Sequence, residues 1–427
     1  MSSGMKLKLA VALGASLLCS AAHADSKTLV VWDFKSSEPL MKPYFDTIKT
    51  MFEKAHPGVQ VQEIAQPADN YYTVLGTAIN AKQGPDVVLL NGGNLAIDRA
   101  GALVPLKSRF ADTLPNLVGL SSFQRADGDY VAIPLTVQGS IWYYNKEVYK
   151  DAGLDPAKPP QTWEQFAAAC EAIKAKTKAS CVTFGNKDGT DFINVVAIIA
   201  KGLWSPEIRA KFMAHDLAWT SDEMRAVFAK IKEMIDKGWI EKGVNSYSPY
   251  TDAVNIFAGA RTGNLLGLIS DAPNSWKNME DMTGEGGVGV ALPVAIGTDP
   301  AADPKRLEVD GGIGFGITSW STNQDLAADF IKDAVSDQAA ATLMQSAGGL
   351  PSNTKVDLST LTSDAGKEVV RLLGCCSIDG RIKSNYVTAE RAELQRVGQL
   401  LLTNQMSVDD ALKSIEAVRQ KEQARKK

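Results

Sequence analysis

Histidine is scarce in this chain: three residues in 427, and none sits in an HExxH pattern. That removes the usual helical zinc-hydrolase signature. GxxxxGK[ST] and GxSxG are absent too, so there is no phosphate-cradling P-loop and no nucleophile elbow. An excess of positive charge is missing, with 45 Lys and Arg against 49 Asp and Glu and a net charge of −4. A nucleic-acid partner would ask for a basic face, so none is expected. Apolar runs of membrane length are missing as well. The run from Leu9 to Leu18 falls short of the ~20 residues a bilayer requires.

What that run does have is context. Lys6 and Lys8 precede it and Ala22-His23-Ala24 follows it. A positive start, a short apolar stretch and a small-x-small end make a secretory signal peptide. Residues 1–24 are therefore expected to be removed, with cleavage after Ala24 and a soluble, periplasmic chain beginning at Asp25. Leu18 is too large for the usual lipoprotein pattern, so lipidation at Cys19 is not expected. Loss of Lys6 and Lys8 takes the charge from −4 to −6. Removing 24 of 427 residues leaves 403, which suits two lobes at ~100–200 residues per domain.

Five cysteines are present, and Cys19 leaves with the leader. The other four are Cys170, Cys181, Cys375 and Cys376. An even number in an oxidising compartment favours disulfides, and four cysteines allow three pairings. Cys170–Cys181 is preferred because it closes a short helix-to-strand return. No histidine lies near them, so a metal site is not expected.

The apolar spacing alternates between two periods. Leu29–Trp32, Val59–Val61 and Val87–Leu90 read as strands. Leu40–Phe52 and Tyr71–Lys82 carry helical spacing between them, with His56-Pro57-Gly58 as a stop. Strand–helix–strand–helix–strand in this order defines an open α/β sheet. Further on, Val131–Pro134, Ser140–Asn145, Cys181–Phe184, Gly263–Ile269, Gly287–Pro293 and Gly314–Thr318 read as extended. Thr162–Gln165 and Thr220–Glu223 read as capping boxes opening helices. Asp325–Val335, Glu390–Leu402 and Ser407–Gln423 are further expected helices.

These phrases, in order, resemble a known family. They are Val30-Val31-Trp32, Phe52–Val59, Gly84–Val87, Ile133-Pro134, Tyr143–Lys146, Thr162–Phe166, Ser275-Trp276, Asp310-Gly311-Gly312 and Gly349-Leu350-Pro351. Together they look like an extracellular solute-binding protein of the carbohydrate class of ABC importers. The resemblance implies a two-lobe periplasmic-binding-protein fold of type II-like build, each lobe an open α/β sheet. It implies about three hinge crossings, placed near Pro134–Gln138, Leu292–Ala295 and Gly348–Pro351. Lobe one would then hold residues 25–136 and 293–345, and lobe two residues 137–292 and 346–427. The implied partners are a carbohydrate ligand and the membrane permease subunits, the protein being a monomer without cofactor.

A sugar needs groups that give and take hydrogen bonds, and rings to cover its apolar faces. The loops after strands are where such groups are expected. Ser37 and Glu38 follow the first strand; the rival reading is a helix cap. Of Tyr71 and Tyr72, one should face the ligand, and Tyr71 is favoured. Asn91 and Gly92 follow the third strand, as a backbone approach to ligand or a tight turn. Gln138 follows the first crossing, and Asn186 follows the Cys181–Phe184 strand. Trp276 matches the family's stacking position, with a core tryptophan as its rival, and Asp271 shares its loop. Asp310 and Gly312 match a loop that reaches the ligand.

Two rivals stand beside this reading. Gly284–Gly289 fits GxGxxG literally, but an extended segment follows where a dinucleotide site needs a helix. Paired carboxylates of a glycoside hydrolase would be related in space, not in sequence. An enzyme is not expected. Polyamine, polyol phosphate and chelated iron are alternative solutes; a phosphate would want converging Arg or Lys side chains.

Overall fold

The computed structural model describes residues 27–68, 70–249, 251–270, 275–297, 306–379 and 386–425, without the side chains of 306, 375 and 377–379. The leader, its cleavage site and Asp271 lie outside the described residues.

From the amino end run β1 (Lys27–Asp33), α1 (Lys42–Ala55), β2 (Val59–Ala65), α2 (Tyr71–Ala81), β3 (Val87–Asn91), the short α3 (Asn94–Ile97) and β4 (Ile133–Pro134). Then come β5 (Val137–Asn145), α4 (Lys146–Asp151), α5 (Trp163–Lys176), β6 (Ser180–Thr183), α6 (Thr190–Leu203), α7 (Pro206–Met213), α8 (Asp222–Asp236) and α9 (Asp252–Ala258). β7 (Thr262–Leu268), α10 (Ser275–Thr283), β8 (Val288–Ala291), β9 (Arg306–Gly311) and β10 (Ile313–Ile317) follow. The chain closes with α11 (Gln324–Ala334), α12 (Asp337–Ala347), α13 (Asp364–Cys375), β11 (Ser377–Asp379), α14 (Thr388–Leu402) and α15 (Val408–Arg425). No helix among the described residues is long and apolar enough to cross a membrane.

The strands form two sheets, ordered β2-β1-β3-β10-β4 and β11-β9-β5-β7-β6, with β8 also paired to β5. In the first, β1 pairs in parallel with β2 and β3, and β10 runs antiparallel to β3. Val87–Leu90 is buried on both faces, as a strand covered by helices on both sides must be. The core here joins Leu29, Val31, Phe45, Phe52, Val88, Phe315 and Phe330. The second sheet carries one core on each face, one around Trp163, Phe192, Trp219 and Trp239, the other around Tyr143, Leu265, Trp276 and Leu307.

Local signals act as the residue types dictate, with small shifts. Ser221, not Thr220, caps α8, accepting from the Met224 N–H. Thr162 accepts from the Gln165 N–H, while the Gln165 side chain reaches back to the N–H of Gln161. Cys170 and Cys181 form a disulfide with Cα atoms 4.9 Å apart, tying α5 to β6.

The chain passes between the sheets where short stretches separate paired strands. Leu135 and Thr136 lie between β4 and β5. Gly312 separates β9, which pairs with β5, from β10, which pairs with β3. Pro351 bridges to Thr136, and the Val137 N–H donates to the Leu350 carbonyl. The crossing expected at Leu292–Ala295 is not there. The Trp163 N–H donates to Ala295 and the Ile296 N–H to Gly202, while Val294 sits in the Trp163 core. Those bonds keep the segment beside the second sheet. Pairing of β9 with Val137–Gly139 carries the chain as far as Gly311 before it leaves.

Candidate binding cleft

Strand direction locates the cleft. In the first sheet β1, β2 and β3 all end on the side where β4 ends and β10 begins, since Ile313 pairs with Asn91. In the second, β7 runs antiparallel to β5 and β6 runs parallel to β7, so both end where β5 starts. The carboxyl edges of the two sheets thus meet at the crossings. Open α/β sheets place ligands at such edges.

On the first lobe, the buried Asp33 shapes the loop after β1. Its carboxylate accepts from the Lys35 N–H at 2.7 Å, the Ser36 N–H at 2.5 Å and the Ser36 hydroxyl at 2.8 Å, an Asx turn. Ser37 is left exposed. Glu38 is half-buried and pairs with Lys35 at 2.8 Å. Tyr71 does not face the cleft. Its hydroxyl donates to the Trp32 carbonyl at 3.2 Å and its ring packs on Phe34 in the core. One residue further turns the helix by ~100°, so Tyr72 takes the outward position. The Tyr72 oxygen accepts from both the N–H and the side-chain Nδ2–H of Asn91, at 2.8 and 3.0 Å. The Arg99 guanidinium lies 4.5 Å from the centre of its ring. Burial holds the phenol's pKa above its ordinary value.

Gly92 is a packing residue. A Cβ there would lie 2.5 Å from the Gly311 carbonyl oxygen and 2.6 Å from Ser122 Cβ. Asp310 is equally committed, being buried. One of its oxygens accepts from the Ser121 hydroxyl, the Ser122 N–H and the Gly311 N–H at 2.8–2.9 Å. It pins the turn at Leu120–Phe123 to the second sheet and offers a ligand little. Gln138 is half-buried and pairs in register with Asp310. Gly312 is required beside it, because a Cβ there would lie 2.5 Å from Thr136 Oγ1 and 3.2 Å from Gln138 Cβ.

On the second lobe, Asn186 is fully buried. Its oxygen accepts from the Phe192 N–H and its amide donates to Asn245, at 2.9 and 2.8 Å. One polar end holds the start of α6 and the other holds the turn at Val244–Ser246. Trp276 lies on α10, not in a loop, and is 2 % exposed. Its indole N–H donates to the Tyr143 hydroxyl at 2.8 Å, and Gly366 closes against the ring. The core reading holds for this residue, although it also lines a small cavity with Leu268, Ser270 and Met279.

The two lobes touch directly at the cleft. The Asn94 Nδ2–H donates to the Tyr386 carbonyl at 2.7 Å, and the Thr388 hydroxyl bonds to Asp98 at 3.4 Å. Sequence reading names Tyr72 only as the alternative to Tyr71, and it misses Asn94, Asp98, Arg99 and the Tyr386–Arg391 segment. The Tyr-Tyr pair at the start of α2 is the available signal for Tyr72, and Asn94 lies just beyond the Asn91-Gly92 phrase after β3; the others follow no strand with a recognisable phrase.

Gly284–Gly289 has α10 before it and runs into β8, the reverse of a dinucleotide site. No group of three or more metal-ligating side chains occurs among the described residues.

Two α/β lobes, opposed carboxyl edges and three crossing segments define a clamp-like binding protein. Residues 47–368 match the bacterial extracellular solute-binding family, and the chain belongs to it. Membership places the protein among extracellular binding proteins. A binding protein of Brucella abortus (strain 2308) is 28 % identical over 278 residues, covering 61 % of this chain and 62 % of its own length. The sn-glycerol-3-phosphate-binding periplasmic protein of Agrobacterium fabrum (strain C58 / ATCC 33970) is 32 % identical over 117 residues, 24 % of this chain and 26 % of that protein. A chitin oligosaccharide binding protein of known structure shares the fold with a TM-score of 0.80 and 19 % identity, over 93 % of this chain and 99 % of that one.

Proposed function

We propose that this protein captures a sugar or short oligosaccharide between its lobes in the periplasm and delivers it to the permease of an ABC importer. The observation that carries the reading is the opposition of two carboxyl strand edges across the crossings, with Tyr72, Asn91 and Arg99 on one wall. Family membership and the fold shared with an oligosaccharide binder support it. The leader is removed after Ala24. Lobe one comprises residues up to Leu135 with 312–347, and lobe two runs from Val137 to Gly311 with the remainder. Solute closes the hinge; a shift from mostly open to mostly closed takes ~5.5 kcal/mol of differential affinity. The solute leaves chemically unchanged.

A polyamine fits poorly. Glu38 is paired with Lys35, while Asp33 and Asp310 each accept three hydrogen bonds. The test is a thermal-shift screen of the chain from Asp25 against sugars, polyols and polyamines. A solute at 1,000 times its dissociation constant adds ~4 kcal/mol of stability. A shift with polyamines alone, or turnover of a glycoside, overturns the proposal.

A further inference from the structure

The hydrogen-bond polarity of the first-lobe wall narrows the solute, on the premise that the cleft binds a polyhydroxylated one. A phenol oxygen accepts two hydrogen bonds and donates one. Both acceptor positions of Tyr72 are filled by Asn91. Its own proton has no acceptor among the described residues. The raised pKa keeps that proton in place at neutral pH. Tyr72 therefore presents a donor.

Arg99 adds more donors to the same ring. One of its N–H groups is spent on the Leu95 carbonyl at 2.6 Å, and no carboxylate among the described residues forms an ion pair with it. The rest of the guanidinium is donor only. The facing lobe brings a second guanidinium within range of the same phenol. Asp98, next to Arg99, bonds to Thr388, and Arg391 lies one helical turn beyond Thr388 on α14. The charges of Arg99 and Arg391 both reach the Tyr72 phenol and act on it in the same direction. Two carboxylates nearby are occupied, Glu38 by Lys35 and Asp33 by its own loop; Asp98 is exposed and accepts one 3.4 Å hydrogen bond from Thr388.

A neutral hydroxyl both gives and takes, so it is best met by a mixture of donors and acceptors. A wall of donors beside a guanidinium suits a group that only accepts. We propose that Tyr72 and Arg99 receive an oxyanion of the solute, so that the preferred ligand is a sugar or polyol carrying a carboxylate or a phosphate. Arg99 is then the residue that selects acidic over neutral solutes.

The experiment is calorimetric titration of the mature protein at about 20 and 200 mM salt, since screening weakens exposed charge attraction. Glucuronate and galacturonate supply the carboxylate, glucose 6-phosphate and sn-glycerol 3-phosphate the phosphate. Glucose, galactose and glycerol are the neutral counterparts. At least one charged probe should bind tenfold or more tightly than its neutral counterpart, with the advantage shrinking at high salt. Which pair shows the gap tells carboxylate from phosphate. Arg99→Gln and Tyr72→Phe should each weaken the charged probe threefold or more, with the neutral one changed less than twofold; Arg99→Lys should keep part of the preference. Unfolding temperatures identify any variant that fails to fold, and the wild-type comparison stands without them. A neutral probe bound as tightly as its charged partner, or an equal loss of both in Arg99→Gln, overturns the inference while leaving the clamp intact. Failure of every polyhydroxylated probe overturns both.

Discussion

The side chain of Asn94, at the start of α3, donates a hydrogen bond to the backbone carbonyl of Tyr386 at 2.7 Å, and these two residues belong to opposite lobes. Asp98, one helical turn further, holds Thr388 in the same stretch. The lobes therefore meet through protein groups, not only through whatever lies between them. A single net hydrogen bond contributes about 1 kcal/mol, a factor of about five in an equilibrium.

Asn94→Ala should shift the clamp toward its open form by about that factor. Small-angle scattering of the unliganded protein should show a larger radius of gyration. Solute affinity should fall about three- to fivefold, mainly through faster release. An unchanged radius would mean that the contact does not hold the lobes.

Trp276→Ala should act on stability first. The ring is buried in a core that includes Met279 and Ala365, and Gly366 closes against it. Its N–H donates to the Tyr143 hydroxyl, which donates in turn to the Leu268 carbonyl at the end of β7. Truncating a buried tryptophan costs about 3–5 kcal/mol, which urea unfolding will read directly. Loss of solute affinity with unfolding unchanged would instead restore a stacking role.

The legible parts of the fold are those written in local chemistry. Alternation marks β2, short apolar runs mark β1 and β3, and Ser, Thr and Gly punctuate the helices at their ends. The rest depends on partners far away in sequence. Asp310 reads as a cleft acid, yet its partners Ser121 and Ser122 lie nearly two hundred residues earlier. Asn186 reads as a loop amide, yet Asn245 and Phe192 consume it. Tyr71 and Tyr72 are the same residue type at adjacent positions, and only the rotation of α2 on the sheet separates core from cleft. Gly311-Gly312 reads as a loop, although β9 and β10 run through it almost without a break. The stretch Asp191–Gly202, which sequence reading leaves unassigned, is buried on all sides as α6.

Removing the Cys170–Cys181 bridge should destabilise the second lobe. It closes a loop with a sequence separation of 11, for which chain entropy gives about 2–3 kcal/mol. The double variant Cys170→Ala/Cys181→Ala should show that loss in urea unfolding, with solute affinity of the folded protein unchanged. No loss of stability would mean that the α5–β6 return is held by packing alone.

Glu63 gives the fold a pH dependence. It lies on β2, with Oε1 buried and without a hydrogen-bond partner in the described chain. Burial pushes its pKa up from 4.5 to about 7, helped by the neighbouring charges of Asp33 and Asp46 and opposed by Lys49 and Lys42. Between those two values the folded protein holds a proton that the unfolded chain has released. Stability therefore falls as pH rises through the window from about 4.5 to 7, and the penalty is complete above it. Glu63→Gln removes the titration. Allowing for solvent screening at a partly exposed site, the variant should be about 1–2 kcal/mol more stable than the parent at pH ~8. At pH ~4 the two should agree closely. Urea unfolding across this range checks the sign as well as the size: a parent that gains stability between about pH 5 and 7 relative to Glu63→Gln would show that the carboxylate is stabilised in the fold, not strained.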